Sequence, residues 1–172
     1  MAQQIMKPTT PAPAETTPSR SQFIRFTVIA AVIAAVAALL SESLGVHAWA
    51  MFVGWVAWFT RPASATQGLH SMLSLWAGML LAAGGHFIVA FLSSHIGMAA
   101  LPVAVFVLAC VAVGMRTTPP LNNMIAWFLG LIAFFALESD NVLTGLLTLV
   151  AASVIGGAAG YACQRLQGRF AS

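Results

Sequence analysis

The sequence contains very little charge of either sign. Only 6% of its 172 residues are charged and 60% are hydrophobic, and the mean hydropathy is +0.92. Soluble domains carry about a quarter charged residues, so the composition excludes an ordinary soluble domain. The 7 Lys and Arg residues are scattered along the chain. They form no basic patch of the kind that binds nucleic acid, so no nucleic-acid partner is expected.

Cysteine is also scarce. Cys110 and Cys163 both lie inside apolar runs, without a CxxC spacing or a neighbouring histidine. This excludes the familiar metal and redox motifs, and the pair is interpreted as small buried hydrophobic residues. No nucleophile, base and acid are grouped in the sequence. We therefore expect no enzyme activity, no metal and no cofactor.

Long apolar runs are what the sequence has in abundance. Residues 1–21 are rich in Pro and Thr and are predicted to be a disordered cytoplasmic tail. The rest predicts an all-α integral membrane domain over 22–166, followed by a short cytoplasmic tail at 167–172. The expected transmembrane helices are 23–41, 46–60, 68–92, 97–115, 121–137 and 142–164.

The few charges predict how these six segments cross the membrane. If all six cross, every Lys and Arg lies on the side of the two termini, and Glu42, His95, Glu138 and Asp140 lie on the other side. Loops and ends that carry Lys and Arg usually remain on the cytoplasmic side of a membrane, so both termini are expected in the cytoplasm. Asp140 also fits as the N-cap of the last helix.

The second and fifth segments resemble each other. At an offset of 76 residues, Phe52 aligns with Phe128 and Gly54 with Gly130, and Ala82, Ala83 and Gly84 align with residues 158–160. Three helices per unit is an odd number, so the second unit is expected to be inverted relative to the first. The sequence thus predicts a 3+3 inverted repeat in which the two glycines meet near the pseudo-two-fold axis, as in many transporters.

The segments 46–60 and 121–137 are short for a membrane span. At about 1.5 Å per residue they extend only about 22–26 Å, against a hydrocarbon core of about 30 Å. They could be broken helices, helices that thin the membrane, or helices held inside the bundle. The sequence leaves these alternatives open.

Several stretches resemble a known family. "WAMFVGWVAWFTRPASATQGL" at 49–69, "FLGLIAFFALESDN" at 128–141 and "GGAAGYA" at 156–162 are similar to stretches of small bacterial inner-membrane proteins known only as a domain of unknown function, the 1097 family. The resemblance covers roughly residues 40–162. It implies the fold and a bacterial inner-membrane location, and it transfers no activity.

The short segments carry most of the candidate site residues. Aromatic residues at helical spacing could form a narrow apolar constriction, or could be core residues and interfacial anchors. Gly54 and Gly130 could admit a solute, or could allow close helix packing. The aromatic candidates for a substrate pathway are Phe52, Trp55, Phe59, Phe128 and Phe135.

Three polar residues complete the candidate set. His47 and Asn123 occupy equivalent positions at the start of the two short segments, where they could bind a solute or cap a helix. His86 lies inside the third segment and is either a functional group at membrane depth or a structural histidine near the outer surface.

The leading hypothesis from sequence is a channel or facilitator for a small polar solute such as urea or ammonia. The alternatives are a proton-coupled secondary transporter, with His86 carrying the proton, and a membrane protein that assembles with others without transporting. The small-residue helix faces favour a homo-oligomer, for which a trimer is expected by analogy with small-solute channels.

Overall fold

Six α-helices account for most of residues 19–170, the part of the chain that a computed structural model describes, and this part contains no β-strand. In chain order they are α1 (Arg20–Ser43), α2 (Ala48–Trp58), α3 (Ala65–Ile96), α4 (Ala100–Gly114), α5 (Met124–Ala136) and α6 (Val142–Phe170). The second and fifth helices are the short ones, as the sequence indicates.

The first helix begins earlier, and the last helix ends later, than the apolar runs suggest. Ser19 caps α1 by accepting a hydrogen bond from the Gln22 amide, so Arg20 and Ser21, assigned above to the tail, belong to the helix. Likewise, α6 continues through residues 167–170. The two helices therefore extend past the expected positions 21 and 167, because polar residues can extend a helix beyond its apolar run. Residues 1–18 of the expected tail lie outside the described residues.

Within residues 19–170, three segments are long and apolar enough to cross a membrane: Arg20–Ser43, Ala65–Thr117 and Val142–Phe170. The second contains both α3 and α4, which are joined by a 3-10 turn over Gly97–Ala99. Gly97 has a φ of 55°, a conformation that suits glycine. The chain reverses here, because α4 packs back along α3 and Leu108 lies against Gly85. The two helices form an antiparallel hairpin.

Each short helix packs on a long helix from the other half of the chain. Helix α2 lies on α6, where a Cβ atom on Gly54 would overlap the backbone of Ser153. Helix α5 lies on α3, where a Cβ on Gly130 would overlap the backbone of Leu75 and come within 2.7 Å of the Met79 nitrogen. The glycines thus allow backbones to touch at both crossings. In contrast to the expectation from sequence, Gly54 and Gly130 each pack on a long helix, and neither is among the nearest neighbours of the other. The two halves, α1–α3 and α4–α6, are interlocked.

The buried residues of the two halves correspond in position. In α2 and α5, Ala50, Met51, Gly54 and Ala57 are buried, as are the residues 76 positions later. In α3 and α6 the correspondence has an offset of 78: Gly78 packs on the backbone of Trp127, and Gly156 packs on the backbone of Met51. The pairing of Ala82, Ala83 and Gly84 with 158–160 is therefore wrong by two residues. Small residues are so frequent there that a shifted alignment matches by chance.

Charge separates the two ends of the bundle. Contacts from Arg61 to Asn122 and from Gln167 to Phe26 join the helix ends that carry the described arginines, and we call this the basic end. Glu42 lies in the last turn of α1, and Glu138 and Asp140 lie in the loop before α6, all at the opposite, acidic end. At the acidic end it is Asn141, and not Asp140, that caps α6, since its Oδ1 accepts a hydrogen bond from the Thr144 amide at 3.0 Å.

Candidate functional site

A buried polar cluster lies at the basic end, where α5 begins. Asn123 is only 7% exposed. Its Nδ2 donates to Thr60 Oγ1 at 2.6 Å and to Ser71 Oγ at 2.9 Å, and its Oδ1 caps α5 by accepting from the Ala126 amide. The side chain thus joins the end of α2, the first turns of α3 and the start of α5. Both candidate roles given to Asn123, capping and a place at the mouth of a pathway, remain compatible with this position.

Arg61 extends the polar cluster towards the surface. One of its Nη atoms donates to Gln67 Oε1 at 3.0 Å, and the other contacts the Pro120 carbonyl and Asn122 Oδ1. Its Nε–H is buried and has no hydrogen-bond acceptor among residues 19–170. A buried donor without an acceptor is costly and calls for a partner such as water or a solute. The cluster of Thr60, Arg61, Ser71 and Asn123 is called the basic-end cluster below.

A small cavity of about 80 Å³ lies further along the same pair of helices, towards the acidic end. His86 of α3 and Phe135 of α5 line it together with Glu138, Ser139 and residues near them. Glu138 has a φ of 47°, a left-handed conformation that is uncommon outside glycine and recurs at functional sites. We call this the acidic-end cavity.

The basic-end cluster and the acidic-end cavity are two ends of one seam between α3 and α5. Ser71 and His86 are 15 positions apart on α3, which corresponds to about 22 Å along the helix axis. Between them the seam contains only apolar and small residues, including the fully buried Leu75 and Ala82. It is closed at the crossing of Gly78 and Gly130, where backbone meets backbone.

The seam brings together four of the ten residues proposed from sequence: Asn123, Gly130, Phe135 and His86. Phe128 is on the neighbouring side of α5 and lines a separate apolar groove against Val105 and Leu108 of α4. Since the Gly130 backbone is covered by α3, a pathway past this glycine requires the two helices to separate.

The other candidates are on α2 or at its two ends and do not line the seam. Phe52, Trp55 and Phe59 form a ridge with ring centroids 6.4 Å and 6.2 Å apart, and Phe52 and Phe59 are more than 40% exposed. His47 is exposed and stacks on Trp49. Gly54 is on the opposite, buried face. The ridge therefore faces outward from the chain, and the glycine serves the contact with α6.

Sequence reasoning missed Thr60, Arg61 and Ser71. Ser71 stands within an apolar run beside Ser74, and Thr60 and Arg61 end the run before it. Polar residues at such positions are a usable signal, because hydroxyls in a membrane helix need a partner. Ser74 shows the ambiguity of that signal, since its Oγ simply donates to the His70 carbonyl of its own helix.

Comparison with known proteins identifies the family and nothing more specific. No curated protein and no solved structure matches the chain. The family model described as "Protein of unknown function (DUF1097)" matches residues 27–168, which is most of the chain and all of the seam. The resemblance found in the sequence is thereby confirmed, and the chain belongs to the DUF1097 family.

Proposed function

We propose that the protein is a membrane channel or facilitator for a small uncharged polar solute such as urea or ammonia. The observation that carries this proposal is the α3–α5 seam. It has hydrogen-bonding groups at both ends, and glycine at the point where the helices close it. Such a seam can admit a small solute when two helices separate by a short distance.

The arrangement of the halves supports a transport role. Equivalent packing of α2 on α6 and of α5 on α3 is what a 3+3 inverted repeat with six crossings requires. Inverted repeats and short helices that meet near mid-membrane are typical of transport proteins. The basic end then lies in the cytoplasm with both termini, which in a bacterial cell corresponds to the inner membrane.

The chemistry of the seam favours an uncharged solute. Asn123, Ser71 and the free Nε–H of Arg61 offer both acceptors and donors to an amide or an amine. The apolar stretch of about 22 Å between the two ends offers no compensation for an ionic charge, which is costly at membrane depth. Ions are therefore excluded by the same residues that would let a small neutral molecule pass.

A flux assay with purified protein in liposomes tests the proposal. Urea entry followed by light scattering, without an ion gradient, is expected to exceed that of empty liposomes. Asn123→Leu replaces the polar mouth by an apolar side chain and should lower entry about tenfold, the cost of about one hydrogen bond in the transition state. Ser71→Ala is a milder variant and should lower entry in the same direction.

Asn141→Leu is the matched control, because Asn141 also caps a helix but is exposed at the acidic end. Its flux should equal that of the unmodified protein. Urea and ammonia entry no faster than in empty liposomes, from a protein shown to be folded, would count against the channel. Equal loss of flux in Asn123→Leu and Asn141→Leu would remove the basic-end cluster from the pathway.

Proton-coupled transport is the second candidate, and the acidic-end cavity favours it. His86 and Glu138 line the same cavity, so two titratable groups are available where a solute would enter. Uptake that occurs only with an imposed proton gradient, and is lost in His86→Phe, would replace the channel by a coupled transporter.

A non-transporting assembly role is the third candidate, and the closed crossing at Gly78 and Gly130 favours it. For each of these three roles we propose a homo-oligomer, and the first expectation is a trimer. The exposed aromatic ridge on α2 is a surface that a second copy would cover.

A further inference from the structure

A second site lies on a different face of α3, in a groove between α3 and α6. The groove has a volume of about 340 Å³ and is lined by apolar and small residues, among them the exposed Leu69, Val154 and Ala158 and the buried Met72 and Gly157. Trp76 closes it towards the acidic end. The Trp76 Nε1 is turned away into a hydrogen bond with Ser153 Oγ. The groove therefore presents an apolar surface that a hydrocarbon chain can contact.

The groove opens into a basic cleft at the basic end. The cleft has a volume of about 460 Å³ and shares Ala65 and Tyr161 with the groove. Arg165 and Arg169 line it, together with Ser64, the N-cap of α3. The guanidinium of Arg165 lies 5.1 Å above the Tyr161 ring, and its Nε donates to Tyr161 Oη. The ring thus holds Arg165 at the junction of groove and cleft.

The cleft has the charge that an acidic headgroup requires. An arginine with a fixed position binds phosphate well, since its planar group presents parallel donors. The N-terminus of α3 adds partial positive charge at the same place. Trp58 sits at the junction without offering a competing polar group, because its Nε1 is bonded to Gln164 Oε1 at 2.9 Å.

The groove also has the length of one lipid chain in one leaflet. From Ala65 to Trp76 along α3 is 11 positions, or about 16 Å. Half of a bilayer hydrocarbon core is about 15 Å. A chain lying in the groove would thus reach from the basic end to about mid-membrane.

We propose that the α3–α6 groove and its basic cleft bind one anionic phospholipid from the leaflet at the basic end. One acyl chain lies over Gly157 and Ala158, and the phosphate lies at Arg165 and Arg169. This site is on a different surface of α3 from the seam, and its existence does not depend on what the seam transports.

Native mass spectrometry of the full-length protein tests this proposal, with phosphatidylglycerol and phosphatidylcholine of identical acyl chains as probes. The unmodified protein should retain phosphatidylglycerol at one site in preference to phosphatidylcholine. Arg165→Gln should lower that preference about fivefold, the effect of one arginine on an anionic lipid. Ala158→Leu, at an exposed position that lines the groove, should lower retention of both lipids by obstructing the acyl chain.

Two control variants separate this site from general lipid adhesion. Arg116→Gln removes an exposed charge from the same end of the bundle outside the cleft, and Ala35→Leu enlarges an exposed alanine on α1. Both should retain lipid as the unmodified protein does. Equal retention of the two lipids by the unmodified protein would overturn the proposal, and so would a loss in Arg116→Gln as large as that in Arg165→Gln.

Discussion

At the scale of single residues, the buried polar groups decide how the basic end is built. Asn123 makes three hydrogen bonds, to Thr60 in the turn after α2, to Ser71 of α3 and to the Ala126 amide of α5. In a structure with so few polar contacts between helices, one amide therefore fixes the relative positions of α2, α3 and α5. Loss of the amide removes the cap of α5 and leaves two hydroxyls with fewer partners.

We expect Asn123→Ala to lower the free energy of unfolding by about 2–3 kcal/mol, which is a helix cap plus two buried hydrogen bonds. Asn141→Ala removes an exposed cap alone and should cost about 1 kcal/mol. Unfolding of the purified protein by SDS in mixed micelles measures both values. If the two variants are equally stable, the contacts to Thr60 and Ser71 contribute nothing.

The sequence predicted the role of Asn123 better than it predicted which residues surround Asn123. Its place before an apolar helix indicated a cap, and the 76-residue offset to His47 singled it out. Yet His47 is exposed and Asn123 is buried, because the contacts to Thr60 and Ser71 have no counterpart at the other end. Equivalent positions in a repeat share backbone geometry but need not share neighbours, and the neighbours cannot be read from one sequence.

At the scale of helices, glycine placement controls the two principal crossings. Gly54 and Gly156 hold α2 against α6, and Gly78 and Gly130 hold α5 against α3. Without a hydrophobic driving force between helices in lipid, such close backbone approach is a main source of attraction. A single methyl group at any of the four should therefore separate the helices.

We expect Gly54→Ala and Gly130→Ala each to lower the free energy of unfolding by about 1–3 kcal/mol, the usual cost of overpacking. Because the two crossings are equivalent, the two losses should be similar. Gly84→Ala is the control, since a Cβ there meets nothing within 4 Å. It should stabilise α3 by up to about 1 kcal/mol.

The same SDS unfolding series gives the decisive comparison. A Gly130→Ala protein as stable as Gly84→Ala would mean that the backbones do not meet at that crossing. A large loss at Gly54 with none at Gly130 would contradict the equivalence of the two crossings.

The helices themselves were largely predictable, and their packing was not. Each apolar run of the sequence corresponds to one of the six helices, and the short pair was correctly identified. The 76-residue offset holds for α2 and α5 because phenylalanine and glycine mark it. It fails for α3 and α6, where alanine and glycine are too frequent to fix a register. That each short helix packs on the other half followed from no sequence signal.

At the scale of the whole molecule, the short helices leave one face incomplete. Helix α2 has 11 residues, or about 17 Å of helix, against a hydrocarbon core of about 30 Å. The loop backbone at its two ends would then lie at membrane depth, where lipid cannot hydrogen-bond to it. A second copy placed against the ridge of Phe52, Trp55 and Phe59 would cover that backbone.

We expect the protein in nanodiscs to have the mass of a closed homo-oligomer. Replacing Phe52 and Phe59 together by alanine should weaken the association about tenfold through lost packing between copies. The matched control replaces Phe87 and Phe91 of α3, which are also exposed phenylalanines, and should leave the mass unchanged. A monomeric mass for the unmodified protein would contradict the assembly.

The interlocking of the two halves has a consequence for how such a chain could arise. Neither half covers the glycine-containing face of its own long helix. Helix α5 packs on that face of α3, and helix α2 packs on that face of α6. If the halves form the inverted repeat proposed above, a three-helix chain of this type would need a copy inserted upside down to cover it. An ancestor of half the length would then have had to enter the membrane in both orientations, as dual-topology proteins do. Fusion of two copies would then have fixed one orientation for each, which leaves the arginines free to gather at a single end.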